Sequence, residues 1–262
     1  MRIVRFKANN HWAYGILADD TIRVLESTPF EGLDVTDEAL NIRQARLIAP
    51  VDPPNVIALG LNYRRHAEES NMRIPGHPQM FLKATTSVIG PGKPIVIPQM
   101  APDEVDYEAE LCIVMGKEAK DVDEEEALDY VLGYTCGNDV SARDCQLKLD
   151  SQWARGKSFD TFCPLGPWIE TDLDPDNCAI ACRVNGQTMQ DSNTSDMIFG
   201  CRQLISFLSR VMTLLPGTVI MTGTPSGVGF ARKPPVFLKA GDTVEVEVGG
   251  IGVLRNGVVA QV

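Results

Sequence analysis

The sequence predicts a mixed, β-rich α+β fold, and three observations carry that expectation. Short apolar stretches alternate with polar residues at a period of two, as in Thr243-Val-Glu-Val-Glu-Val248. Turn-forming pairs such as Asn9-Asn10, Asp19-Asp20 and Gly249-Gly250 punctuate them. Helices are few: a sustained amphipathic stripe occurs at residues 201–215, with apolar side chains at 201, 204, 205, 208, 211, 212 and 215, and Pro216-Gly217 stops it.

Taken in order, residues 3–6, 12–17 and 21–25 form a small meander joined at the Asn and Asp pairs. Residues 31–41 read as a polar connection leading to Pro50-Val-Asp-Pro-Pro54. That proline cluster predicts a boundary between a small N-terminal β domain, residues 1–50, and a larger domain, residues 51–262. Val56-Ile-Ala-Leu59 is a buried-type strand ending at Gly60. Asp106-Tyr-Glu-Ala-Glu-Leu-Cys-Ile-Val-Met115 alternates, placing Glu108, Glu110, Cys112 and Val114 on one face. Asp123-Glu-Glu-Glu126 has a capping-box signature and predicts a short helix to about Val131. Residues 131–136 are again strand-like and end at Gly137-Asn138, while residues 218–221 lead into the glycine-rich loop 222–229.

Composition narrows the function classes. A formal charge of −11 with no Lys/Arg cluster excludes a nucleic-acid surface. No apolar run approaches the ~20 residues of a membrane span. The opening Met-Arg-Ile-Val-Arg-Phe runs straight into strand pattern, so no signal peptide is expected. Seven cysteines contain no C-x-x-C pair, which points to reduced thiols in a cytoplasmic protein.

The candidate chemistry starts at Glu108 and Glu110. Two carboxylates on one face of an apolar strand repel each other and resist desolvation, and a hard divalent cation relieves both problems. Asp139, after the second strand, could close such a site; a solvated strand face with an unrelated helix cap is the plain alternative. His66 and Glu69 stand three apart and would meet on one helical turn, an imidazole oriented by a carboxylate as a general base requires, or else an exposed ion pair. The turn-rich stretch beside them, within residues 64–80, reads as a lid that orders over substrate. Asp139, Arg143 and Gln146, spaced by four and then three, would share a helix face, suiting a metal, a substrate carboxylate and a carbonyl, or merely a surface pair. Lys157 and the loop 222–229 mean little alone. Other motifs fail: Gly92-Lys93-Pro94 is no phosphate loop, Gly223-Thr-Pro-Ser-Gly227 is no nucleophile elbow, and Asp172-x-Asp174-x-Asp176 lacks a calcium loop's glycine and glutamate.

Read in order, five blocks carry a resemblance: Asn62-Tyr-x-x-His-Ala-x-Glu, Asp106-Tyr-Glu-Ala-Glu-Leu, Gly137-Asn-Asp-Val-Ser-Ala-Arg-Asp, Gly156-Lys-Ser-Phe-Asp-Thr-Phe and Thr222-Gly-Thr-Pro-Ser-Gly-Val-Gly. Over residues 52–262 the chain resembles the fumarylacetoacetate hydrolase family, in its shorter acylpyruvase, oxaloacetate decarboxylase and diene-dioate isomerase branch. The resemblance implies a β-sandwich or rolled β-barrel core with peripheral helices, usually as a homodimer. It implies Glu108, Glu110 and Asp139 as ligands of Mg²⁺ (or Mn²⁺), and His66, Glu69 and Lys157 as catalytic groups. Arg143, Gln146 and Thr224 fall on substrate-contacting positions. The implied activity is C–C bond hydrolysis of an acylpyruvate-type 2-oxo acid through a stabilised enolate. Decarboxylation of an oxaloacetate-like acid and isomerisation of a hydroxymuconate-type diacid are the alternatives. A non-catalytic dimer that binds small acids would need a damaged proton-transfer set, and here His66, Glu69 and Lys157 are all present.

Overall fold

Two β-sheets pressed face to face take up most of the apolar side chains. The computed structural model describes residues 1–8 and 11–262, so the expected Asn9-Asn10 turn lies outside the described residues. The larger, 12-stranded sheet runs from Val35–Asn41 through Thr21–Leu25, His11–Ala18, Arg2–Ala8, Cys163–Glu170, Val131–Asn138, Ala109–Met115, Val219–Met221 and Val56–Gly60 to Gln79–Lys83, with two short strands beside this path. The smaller, 5-stranded sheet runs Gln187–Asn193, Ala179–Val184, Thr243–Val248, Gly252–Ala260, Ile95–Ile97. Both orders are open, so the sandwich is formed and, among the described residues, the rolled barrel is not.

Alternation decides how the sheets pack. Leu111, Ile113 and Met115 point into one core with Val244, Val246 and Val248 of the smaller sheet. Cys112 and Val114 point into a second core with Ile3, Leu165, Ile169 and Met221. The strand Ala109–Met115 is therefore buried along its whole length, and the solvated-face alternative for its glutamates does not hold. Helix Cys201–Val211 lays Cys201, Leu204, Ile205 and Leu208 on the first core, as its stripe requires. It stops short of residue 215 because the Leu214 backbone instead exchanges two 2.9 Å hydrogen bonds with Ala119.

Three local expectations are corrected. Within the supposed polar connection, Val35–Asn41 is a strand antiparallel to Thr21–Leu25. It is polar because it forms the sheet edge and leaves most of its side chains in water. The capped helix at residues 123–131 is only a 3₁₀ turn, Ala127–Tyr130, without a side-chain cap. The Tyr130 carbonyl accepts from Gly116 N–H (2.7 Å), which draws the chain into the sheet at once. No helix begins at Asp139; Ser141–Ala142 pairs with Val105–Asp106, and a π-helical turn, Cys145–Leu149, follows.

Residues Arg2–Ala8 pair with Cys163–Glu170, setting Ile3 opposite Ile169, so the N-terminal strands extend the larger sheet. Val4, Phe6, Leu17 and Ile22 cluster among themselves. No helix is long and apolar enough to cross a membrane.

All seven cysteines are buried and unpaired. Burial disfavours their thiolates, pushing Cys136 and Cys163 up to about 12 and Cys178 up to about 11. The folded protein should therefore show no fast-reacting thiol toward a disulfide reagent at mildly alkaline pH, and all seven should react in denaturant. A thiol that reacts rapidly in the folded state would contradict this packing.

Gly137 faces Glu110 across the strand pair. A Cβ there would fall 2.3 Å from Cys112 Sγ and 3.0 Å from Met221 Cε. Gly137→Ala is expected to cost roughly 1–3 kcal/mol by overpacking, read as a lower urea midpoint; an unchanged midpoint would refute the tight fit.

Candidate active site

The carboxylates stand where two antiparallel strands end together. Asn138 lies opposite Ala109, which puts Glu108 and Asp139 side by side just beyond the pairing. Backbone bonds hold them there: Asp139 N–H donates to the Glu108 carbonyl (2.9 Å), and Glu108 N–H donates to Asn138 Oδ1 (3.0 Å). Glu110 follows on the same face as Glu108 by the strand's period. One oxygen from each of Glu108, Glu110 and Asp139 lies within 4.8 Å of the others, and all three residues are buried.

Cations surround this cluster. Lys157 Nζ bridges Glu108 Oε2 (2.6 Å) and Asp139 Oδ2 (2.7 Å). Lys83 Nζ donates to Asp139 Oδ1. Arg143 donates to Glu108 Oε1 (2.6 Å), Asp106 Oδ2 (2.9 Å) and Gln146 Oε1 (2.7 Å), with the Phe230 ring 4.5 Å from its guanidinium carbon. Burial acts to raise the Glu108 carboxyl, but Arg143 and Lys157 together hold it well below the usual range. For Lys157, burial opposes the charge, and Asp139 and Glu108 outweigh it.

Glu110 differs. Among the described residues, its carboxylate takes one hydrogen bond, from Gly223 N–H (2.7 Å). Burial, with the Asp139 and Glu108 charges adding, pushes it well above the usual carboxylate range. The donor set suits a hard divalent cation: every ligand atom is oxygen, the three ligand residues are buried, and Asp106, Glu108, Glu110 and Asp139 outnumber Lys83, Arg143 and Lys157.

His66 and Glu69 lie on helix Arg64–Glu69, with Nδ1 2.8 Å from Glu69 Oε1, as their spacing predicts. Glu69 is fixed in turn by Gly227 N–H, at 3.0 and 2.9 Å from its two oxygens. Gly227 has φ 102°, a left-handed conformation that favours glycine. Thr224 Oγ1 donates to the Ala109 carbonyl (2.9 Å) and accepts from Gln190 Nε2 (2.8 Å), fastening the loop to the carboxylate strand. A cavity of about 50 Å³ opens among these groups; His66, Glu108, Asp139, Arg143, Gln146 and Lys157 line it, together with Thr224.

The structure thus brings all nine sequence-selected residues to one place, Glu110 and Glu69 just behind the lining. Arg143 and Gln146 share a helical turn, as expected, but it begins at residue 143 and leaves Asp139 outside it. Lys83, Asp106 and Phe230 were missed. Asp106 did carry a signal, since it continues the period of Glu108 and Glu110; it is fully buried and accepts from Gly229 and Phe230 N–H at 2.8 and 3.0 Å. Lys83 closes an ordinary-looking strand, and nothing local marks it.

Comparison with known proteins decides the kinship. Residues 55–259 match the family model described as fumarylacetoacetate (FAA) hydrolase, C-terminal, and residues 1–50 match one described as Rv2993c-like, N-terminal. The chain belongs to the fumarylacetoacetate hydrolase family. A mitochondrial oxaloacetate tautomerase from Xenopus laevis is 48% identical over 88% of this chain and 74% of its own length. A 5-carboxymethyl-2-hydroxymuconate delta-isomerase from Mycobacterium smegmatis matches in structure at a TM-score of 0.91 and 44% identity, over 100% of both chains. A fumarylacetoacetate hydrolase from Exiguobacterium antarcticum matches at a TM-score of 0.91 and 38% identity, again over 100% of both. As a fumarylacetoacetate hydrolase family member, the chain falls among enzymes named for tautomerase, isomerase and hydrolase activities.

If the oxygens of Glu108, Glu110 and Asp139 act as one ligand set, Glu108→Gln or Asp139→Asn should weaken Mg²⁺ and Mn²⁺ binding by roughly 10–100-fold or more. Calorimetry on folded variants reads this directly, and affinities equal to the parent's would remove the site.

Proposed function

We propose that this family member is a divalent-metal-dependent enzyme that moves a proton at the carbon beside the keto group of a small 2-oxo acid. Keto–enol interconversion of an oxaloacetate-type acid is its reaction. The observation that carries this reading is the dyad: His66, with Nδ1 taken by Glu69, lines the same small cavity as Glu108, Asp139 and Lys157. The 48% identity to an oxaloacetate tautomerase supports the choice of acid.

A divalent cation held by Glu108, Glu110 and Asp139 would supply Lewis-acid stabilisation of the developing negative charge, worth several kcal/mol. The chain's own residues do the rest. Nε2 of His66, the ring nitrogen left free by Glu69, accepts the proton from C3. The electron pair moves into the C2–C3 bond as the keto oxygen takes up negative charge beside the Lys157 ammonium. His66 then returns the proton at that oxygen, completing the enol, and the reverse path regenerates the ketone. Arg143 has five N–H donors, three of them engaged with Asp106, Glu108 and Gln146 among the described residues. Its remaining N–H groups are available to a substrate carboxylate. Thr224 holds the loop that fixes Glu69 and so acts as a positioning residue.

A second reading keeps the same residues and changes what His66 deprotonates. If the base activates a water, that water attacks the distal carbonyl of an acylpyruvate, and the C3–C4 bond breaks to release the acyl group as an acid and leave the enolate of pyruvate. The dyad geometry and the likeness to a fumarylacetoacetate hydrolase favour it.

The two readings separate on substrates. Oxaloacetate tautomerisation and acylpyruvate cleavage would each be followed spectroscopically with Mg²⁺ or Mn²⁺, above the uncatalysed and metal-only rates. His66→Ala should lower kcat by roughly 10²–10⁴-fold while leaving metal affinity and the unfolding midpoint unchanged. Loss of metal in that variant would make His66 a ligand and end this mechanism; cleavage without tautomerisation would select the hydrolase.

A further inference from the structure

The cavity has two unlike ends. Its inner wall is charged and sealed: Arg143 and Lys157 are 3% and 2% exposed and already paired with Asp106, Glu108 and Asp139. Its outer wall is apolar, formed by Met72, Phe81, Leu147 and Trp153, with Met72 and Leu147 49% and 45% exposed at the mouth. Among the described residues lining the cavity, Arg143 and Lys157 supply the lysine and arginine charge, and both sit at the inner end.

Trp153 is the fixed part of the outer wall. It precedes the short helix Ala154–Lys157, and its carbonyl accepts from Lys157 N–H (3.2 Å), so the indole and the ammonium leave one turn in a set relation. The ring lies on Gly60. A Cβ at that position would fall 2.4 Å from Trp153 Cζ3 and 2.8 Å from Cη2, so a side chain at residue 60 would displace the indole. Phe81 meets the indole edge-to-face at 5.6 Å and 78°, while its own ring lies 5.3 Å from Lys157 Nζ. Such edge-to-face pairing adds to what area burial alone contributes and holds the wall in place.

We propose that Trp153, seated on Gly60 and braced by Phe81, is a specificity-determining residue that limits the length of the acid. It admits short 2-oxo acids and excludes long dienedioates of the hydroxymuconate kind. The inference rests on reading the cavity as a 2-oxo acid site. A four-carbon diacid keeps both carboxylates within the charged inner end, where N–H groups of Arg143 remain to receive the second one. A longer diacid lays its distal half along the partly buried rings of Phe81 and Trp153, where desolvating a carboxylate without a partner is costly. It must also push past the indole. The cavity volume of about 50 Å³ is small beside the roughly 300–1,000 Å³ of drug-sized ligand pockets.

The test uses the full chain loaded with Mg²⁺, titrated calorimetrically with oxalate, oxaloacetate and a hydroxymuconate-type dienedioate, alongside turnover assays. The parent should bind oxaloacetate at least about tenfold more tightly than the long diacid, in the range that pocket fit alone supplies. Trp153→Ala should shrink that preference by about tenfold or more, and Trp153→Phe, which keeps the pairing with Phe81, by less. Trp153 is only partly buried, so both variants are expected to fold, and an unfolding midpoint checks it. A preference unchanged in a folded Trp153→Ala, or in Trp153→Phe where the alanine variant does not fold, overturns the length limit. So does a parent that binds the long acid equally well, or none of these acids. Short acids that bind under Trp153 control but exchange no proton would leave the length limit standing and remove the tautomerase reading. Turnover with an unchanged preference would do the reverse.

Discussion

The arrangement of this molecule depends on keeping Asp106, Glu108, Glu110 and Asp139 out of water at the end of one strand pair. Isolated carboxylates cannot be buried at such density, because desolvation and mutual repulsion both favour the neutral acid. The chain answers with Lys83, Arg143 and Lys157 and with backbone N–H donors from Gly223, Gly229 and Phe230. These partners come from four separate stretches of chain, so the folded state alone assembles the balance. Removing one member of such a network leaves a charge uncompensated, which typically costs about 3–5 kcal/mol.

The sandwich makes that assembly possible. A strand buried on both faces can carry its carboxylates to a fixed point, since a register slip of one residue would turn Glu108 and Glu110 away and drive Leu111 and Ile113 into the core shaped for Cys112 and Val114. Cys112 and Val114 seat one face in the core shared with the N-terminal strands, and Leu111, Ile113 and Met115 seat the other against the smaller sheet. The loop 222–229 then ties the parts together. It touches Glu110 through Gly223, Ala109 through Thr224 and Glu69 through Gly227. One segment thereby links the carboxylate cluster to the helix that bears His66.

The cavity divides into a charged floor, with Glu108, Asp139, Arg143 and Lys157, and an apolar mouth, with Met72, Phe81, Leu147 and Trp153. On the proposed reading, the floor bears the negative charge that develops on the keto oxygen, the mouth limits what is attached to the keto acid, and the placing of a base or a water selects the bond that changes.

The sequence by itself determined whatever is local and periodic. Alternation at 108 and 110 placed two glutamates on one face, and the spacing of 66 and 69 placed imidazole against carboxylate. Alternation at 244, 246 and 248 likewise named the inner face of the smaller sheet. The ordered blocks pointed to the family. Tertiary structure alone decided the rest. Lys83 has no local mark, because its partner Asp139 is distant in sequence and is reached only through the folded sheet. Asp139, Arg143 and Gln146 looked like one helix face, yet pairing of Ser141–Ala142 with Val105–Asp106 took Asp139 out of it, and Arg143 reaches Asp106 and Glu108 as well as Gln146. Val35–Asn41 was illegible because an edge strand does not need an apolar face. Periodicity records which way a side chain points; which charge it meets depends on chain that comes from elsewhere.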